Sequence, residues 1–375
     1  MEARRNGLLV LISLMISLPV FGLTSSQRAV IYNGLPDVLQ WLEPGDPVFT
    51  SYALEDLDGD GVDDLVLQSL DASVYRAYST ARDMKPIPVA DEVVGRIMQT
   101  GFAPINTIFS VLAPKTDYTL SQRPLLAVAD QGKNEYVARI LNGEESSYRP
   151  MKEYTNMVFK PHVGKVRHVK AEESVTDDQY YCHYHFFGLK DPSFSKKMFR
   201  GYADSEIMSV IVTDEFLTTH IPQQYSRWKS PEPIRRIGDG YKQVVEEFFG
   251  RSVKRSQWLA SLPTEVSTRD FFLVSFATVG ENVCSAFVCV AEGCVQSYLI
   301  IEGYLEGGEE VYYDSDIDSL YSEHQPEIMA MMDGPMGLEL YVRHNSMEGT
   351  HYSVWRELGM AWVEVIDEYY YWDMN

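Results

Sequence analysis

Short runs of alternating apolar and polar residues dominate the chain, and the wider spacing of an amphipathic helix shows in only a few places. Residues 27–160 read as short strands between turn signals. "VFTSYALE" (48–55) and "LVLQSL" (65–70) lie on either side of a run of aspartates, and "PLLAVADQGKNEYVARIL" reads as a hairpin turning at Gln131–Asn134. One helix, "ADEVVGRIMQTG", interrupts them. The clearest helical stripe begins near Asp239, where Tyr241, Val244, Val245, Phe248 and Phe249 follow the i, i+3, i+4, i+7, i+8 spacing of one buried face. "KSPEPIRRIGDG", just before it, has the composition of a linker. From Arg269 strands return as "DFFLVSFATV", "VQSYLIIEGYL", "LELYVRH", "HYSVWREL" and "AWVEVID", with a helix expected over 316–332. Leu338, Leu340 and Val342 alternate with Glu339, Tyr341 and Arg343, the pattern of a sheet with one wet face. No fixed-period repeat is present. The fold class that follows is α+β: β-rich, mostly antiparallel sheets with a few helices, in two domains.

The first residues refine that division. Arg4 and Arg5 precede an apolar run from Gly7 to Leu23, and Val20 and Gly22 suit the small-residue pattern of a cleavage site. Pro19 and the shortness of the run argue against a permanent anchor, which needs about 20 apolar residues. The expected organisation is a signal peptide at 1–22, a β-rich domain at 23–162 and an α+β domain at 163–375 with an acidic, β-rich C-terminal part. The mature protein is expected to be exported, periplasmic or secreted, without membrane insertion after cleavage.

Net charge is −22, and it is unevenly spread. Residues 264–375 hold 21 Asp and Glu against Arg269, Arg343 and Arg356, a net of −18. Nucleic-acid binding is thereby excluded as an expectation, since phosphate contacts need clustered positive charge. A protein partner, a basic one in particular, is the alternative an acidic face suits. The four cysteines, Cys182, Cys284, Cys289 and Cys294, form an even set that export would oxidise. A turn over Val290–Gly293 would set Cys289 across from Cys294, leaving Cys182 to pair with Cys284.

Specific chemistry concentrates in "DLDGDGVDDL" (56–65). Asp56, Asp58, Asp60 and Asp64 take positions 1, 3, 5 and 9 of a loop, with Gly61 at position 6 for the sharp turn and the Val62 carbonyl at position 7. Calcium takes six to eight hard oxygen ligands, and this spacing converges them on one ion. Position 12, a glutamate in an EF-hand, is Leu67, and the flanks alternate as strands. "ALEDLDGDGVDDLVL" resembles the calcium loops of FG-GAP and VCBS-type repeats, with their strand–DxDxDGxxD–strand pattern. Over these residues the resemblance implies a structural Ca2+ held by Asp56, Asp58, Asp60, Val62 and Asp64. Those families carry several copies to close a propeller, and only one good copy is present. "DSDID" (314–318) lacks the glycine and the ninth-position acid.

Three further constellations bear on function. "CHYH" sets His183 and His185 on one face of a strand beside Cys182, a partial zinc or copper set that lacks a further ligand. "ENVCSAF" and "GMAWVEVIDEYYYWD" resemble transglutaminase-type cysteine hydrolases, which would make Cys284 the nucleophile and Asp373 the orienting acid. Met360 stands where that family places the histidine that generates the thiolate. Met329, Met331, Met332 and Met336, with Trp355, Trp362, Tyr369, Tyr370, Tyr371 and Trp372, suit either a core or an adaptable binding surface. The sequence therefore points to an exported calcium-binding protein without a catalytic centre of its own, binding or inhibiting a protein partner in the manner of periplasmic inhibitors or immunity proteins. A hydrolase of the degenerate transglutaminase-like type, a metal enzyme built on Cys182–His185 and a carbohydrate-binding surface protein are the alternatives.

Overall fold

A computed structural model describes residues 30–31, 34–35, 38, 48–70, 72–105, 123–130, 135–141, 145–159, 161–175, 181–191, 208–227, 233, 235–280, 282–306, 309–312, 326–345 and 349–371. The apolar N-terminal run, "DSDID", the turn at Gln131–Asn134 and Asp373 lie outside the described residues. The fold is β-rich and mostly antiparallel with few helices, as the alternation predicts. Contacts divide the chain into two compact units, residues 1–114 with 358–364, and residues 115–357 with 365–375.

In the first unit, β1 (Phe49–Glu55), β2 (Asp64–Ser69), β3 (Tyr75–Ser79), β4 (Lys85–Ile87) and β5 (Ala103–Pro104) form one sheet in the order β4-β3-β2-β1-β5. Its centre is dry on both faces, because Tyr52, Leu65, Val66 and Leu67 are all essentially without exposure. One face is covered by α1 (Asp91–Thr100), whose Ile97 packs with Ala53, Val66 and Ala77. β1 and β2 are antiparallel, with Glu55 opposite Asp64. The aspartate run is therefore the connection of a hairpin anchored in a packed sheet.

The second unit begins with β6 (Leu125–Asp130), β7 (Glu135–Leu141), β8 (Tyr154–Phe159), β9 (His162–Val175), β10 (Tyr181–Leu189) and β11 (Met208–Thr213), which close into a barrel in the order β10-β7-β6-β11-β8-β9. Closure removes the unpaired edges that a six-stranded open sheet would expose. The expected boundary at 162/163 lies inside β9, which pairs with β8 across it; the division by contacts falls at 114/115.

A short helix, α2 (Phe216–Thr219), leads into a large sheet with β12 (Ile221–Pro222), β13 (Ser226–Arg227), β14 (Val253–Pro263), β15 (Thr268–Phe276), β16 (Asn282–Ala291), β17 (Cys294–Glu306), β18 (Glu309–Tyr312), β19 (Glu327–Gly334), β20 (Gly337–Asn345), β21 (Gly349–Leu358) and β22 (Ala361–Tyr371). The order is β12-β19-β20-β21-β22-β17-β16-β15-β14-β13, with β18 paired to β17. Met329, Ala330, Met332, Tyr341 and Val354 of this sheet share one core with Leu126, Val158 and Val210 of the barrel. α3 (Asp239–Phe249) covers part of the sheet through Val245 and Phe249, whose ring meets Phe276 and Tyr298. Gly250, at φ 63°, ends the helix in the left-handed conformation glycine tolerates.

Four expectations need correction. The helix proposed over 316–332 is, over its described part, the strand β19. Ile328, Met329, Ala330, Met331 and Met332 are all buried, and a continuous apolar run carries no period that separates strand from helix. The polar side of β20 is not wet, since Glu339 and Tyr341 are as buried as Leu340. The third concerns the linker, whose described end packs on β14: Trp258 donates its N–H to the Arg235 carbonyl (2.7 Å) and Ile237 donates to Ser256 Oγ (3.1 Å).

The Cys289–Cys294 bridge is absent as well. The hairpin turns on two residues, Glu292 and Gly293, both at positive φ, with Ala291 opposite Cys294 and Cys289 opposite Ser297. Cys289 is buried and Cys294 exposed, so the two thiols sit in different environments; Cys284 is a buried thiol, so the Cys182–Cys284 bridge is absent too.

Candidate metal centre

The loop between β1 and β2 turns its aspartates onto its own backbone. Asp56 accepts the N–H of Gly59 (2.7 Å) and of Gly61 (3.0 Å), Asp58 that of Asp60 (3.2 Å), and Asp60 that of Val62 (2.9 Å). Asp64, at the first position of β2, accepts the Leu57 N–H at 3.1 Å and so ties the two ends of the loop together. Gly61 has φ 82°, which a side chain at position 6 would strain.

These bonds bring three carboxylates together. One oxygen each from Asp56, Asp58 and Asp64 lies within 4.8 Å of the others. Asp60 is exposed and outside that group, and Val62 is half-buried on the descending side. Among the described residues one cation reaches the loop, Arg82, whose guanidinium is 2.9 Å from Asp58 Oδ2.

Asp64 is the unusual member. It has no exposure to solvent, and its Oδ1 has no hydrogen-bond donor. Burial pushes its carboxyl above the usual range and the charge of Asp58 adds to this, against the opposing Leu57 N–H, Ser79 hydroxyl and Thr80 N–H. Neighbouring Asp63 is raised as well, by burial and by the charges of Glu55 and Asp56. A buried acceptor without a donor is rare in native proteins and costs about 1–3 kcal/mol. The donor set is all hard oxygen, so the residues fit a divalent cation of the calcium type.

The other sequence candidates do not converge. His185 Nδ1 lies 3.3 Å from His168 Nε2, while His183 Nδ1 is 3.8 Å from Glu173. His168 is lowered by burial. Among the described residues the aspartate trio is the only metal-capable cluster. Cys284 is fully buried, with its thiol 3.8 Å from the Ser285 carbonyl, and Met360 is buried too. Burial pushes the Cys289 thiol up to about 12 despite the Arg269 Nε–H it accepts at 3.3 Å. Met329, Met331, Met332, Trp355 and Trp362 are core residues; Met336 is exposed.

A second buried carboxylate escapes sequence reasoning. Glu339 Oε1 accepts from Arg356 Nε (3.0 Å) and Nη2 (2.9 Å), and Oε2 accepts from the Tyr341 hydroxyl (3.0 Å). His220, stacked on Phe216, lies 3.7 Å away. Burial alone would raise this carboxyl, but His220 and Arg356 outweigh it and hold it below the usual range. All of these groups are buried, so the arrangement reads as a structural clamp between α2, β20 and β21.

No described helix is long and apolar enough to cross a membrane. No protein-family model matches the chain, and no curated protein or solved structure is significantly similar to it.

Proposed function

We propose that residues 56–64 bind a calcium ion that staples β1 to β2, in an exported protein that acts by binding another protein. The observation that carries the metal is Asp64 Oδ1, buried, ionisable and without a donor beside two further carboxylates. Asp60 and the Val62 carbonyl complete the ligand set by small changes of a surface loop. Because the folded loop binds calcium and the unfolded chain does not, melting temperature should rise with free calcium and fall with a chelator. Identical melts, together with no calcium by elemental analysis, remove the site.

The binding role rests on charge. Of the three arginines in the acidic stretch, Arg269 pairs with Glu357 and Arg356 with Glu339, so both are spent internally. The remaining acidic excess suits a basic protein surface, with charges screened over about 10 Å at 0.1 M salt. Capture from the exported fraction, with and without calcium, identifies the partner. Association should slow as salt rises, and should slow in a variant with Glu306, Glu309 and Glu310 neutralised. Salt-independent association removes the electrostatic part of the reading.

A further inference from the structure

The cavity beside the N-terminus of α3 has the opposite charge to the rest of the molecule. It measures about 600 Å³ and is lined, among the described residues, by Arg236, Lys242, Lys254 and Arg255 against one acid, Asp239. In a chain of net charge −22, four cations facing one shared space are a local reversal of sign. The volume is that of a small-molecule site.

The local sequence builds this space. The hydrogen bonds from Trp258 N–H to Arg235 and from Ile237 N–H to Ser256 lay residues 235–237 along β14. Arg235 stacks over the Trp258 ring at 4.7 Å and fixes the same segment. α3 then starts at Asp239 with Gly238 as its N-cap, and Gly238 supplies no side-chain cap. The start of this eleven-residue helix contributes Asp239 and Lys242 to the cavity lining, so the positive end of the helix dipole lies beside the cations and favours an anion there. Lys242 is 3.7 Å from Glu246, whose Oε1 takes the Val253 N–H, and Lys254 and Arg255 also make interactions within the chain, so part of the positive charge is shared.

An independent observation comes from Gln257. It lines the cavity, is 4 % exposed, and neither its Nε2 nor its Oε1 has a hydrogen-bond partner. A primary amide buried with both ends unsatisfied by the protein keeps a donor and an acceptor for a bound molecule. Its neighbour across the sheet, Leu273, also lines the cavity and offers no polar group.

The geometry points to a binding site for a small organic anion, a phosphate or carboxylate carried on a body with hydroxyl groups. The cations and the α3 N-terminus hold the charge, and the Gln257 amide reads the polar body. This site is separate from the calcium loop and does not depend on it.

Calorimetric titration of the full calcium-loaded chain at low salt tests the site, with glucose 6-phosphate, citrate, inorganic phosphate and glucose as probes. Glucose 6-phosphate or citrate should bind one to one with a dissociation constant on the order of 1 mM or tighter. Neutral glucose should bind far more weakly. Arg236→Glu with Arg255→Glu, both at exposed positions, should weaken the anion about tenfold or more. Gln257→Leu should erase the preference for glucose 6-phosphate over inorganic phosphate while phosphate binding persists. Saturable binding by none of the anions overturns the proposal, as does binding that survives the double charge reversal. If Gln257→Leu does not fold, the charge-reversal pair decides alone.

Discussion

Asp64 and Glu339 are both carboxylates without exposure to water, and their surroundings drive them in opposite directions. Glu339 has a guanidinium, a phenol and an imidazole from its own chain, and its carboxyl is held below the usual range. Asp64 has only neutral donors, the Leu57 and Thr80 N–H groups and the Ser79 hydroxyl, beside further carboxylates, and its carboxyl is raised. A buried charge is tolerated when its counter-charge is present. In the clamp the sequence itself supplies the counter-charge. At the loop the proposed ion would supply it.

The largest expected effect tests the clamp. Arg356→Met leaves Glu339 buried without its cation and should cost about 3–5 kcal/mol in denaturant unfolding. Adding Glu339→Leu to it should recover much of that loss, because two apolar groups then replace the pair. The pH dependence follows from the lowered carboxyl. Its contribution is fully present above the reference value of 4.5 and is lost as pH falls through the lower folded value. In Arg356→Met this acid-side loss should disappear or reverse. An Arg356→Met protein as stable as wild type would show that the clamp is not what holds β20 to β21.

Calcium is the matching test of the loop. A hundredfold excess over the dissociation constant should add about 2.7 kcal/mol to stability. Asp64→Asn should abolish that gain and, without calcium, should stabilise the chain by removing an uncompensated charge. Asp60→Asn should reduce the gain less, because Asp60 is exposed and outside the convergent trio. If both variants respond to calcium like wild type, the ion binds elsewhere.

The two sites also differ in how far they can be read from the chain alone. The loop is local: nine residues carry both the ligand spacing and the glycine that permits it, so Asp56, Asp58 and Asp64 can be named before folding. The helices at Asp91 and Asp239 are legible for the same reason, each resting on one unbroken period. The clamp joins Glu339 to residues 17 and 119 positions away, Arg356 and His220, and nothing in "LELYVRH" separates a buried glutamate from a solvated one. The alternation of β20 was correctly periodic, but the barrel core covers the face that looked wet. β19 failed in the opposite way, since apolar residues on both faces erase the period.

Cysteine chemistry distinguishes an internal pairing from an exposed group on a smaller scale. Cys289 sits with Arg269, which also pairs with Glu357, and burial keeps its thiol protonated. Cys294, five residues on, is exposed. Native-state alkylation should therefore label Cys294 quickly, and Cys284 and Cys289 only on unfolding, as mapped by mass spectrometry of the peptides. A peptide linking Cys289 to Cys294 would contradict the two-residue turn.

The smallest effect asks whether Arg82, a cation supplied by the chain itself, helps or competes at the loop. Arg82 holds Asp58 Oδ2 at 2.9 Å, but its side chain is 59 % exposed, so the pair is worth only about 0.2–1 kcal/mol. Asp58 is one of the three convergent carboxylates, and an incoming dication must displace or repel that guanidinium. Arg82→Ala should therefore tighten calcium binding by about two- to fivefold while leaving the calcium-free protein slightly less stable. At the clamp the corresponding change, loss of Arg356, is destructive, because there the cation is the counter-charge and nothing else arrives to replace it. Calcium affinity that falls in Arg82→Ala would mean that Arg82 preorganises Asp58 for the ion, and the contrast between a completed site and a waiting one would be weaker than the two carboxylates suggest.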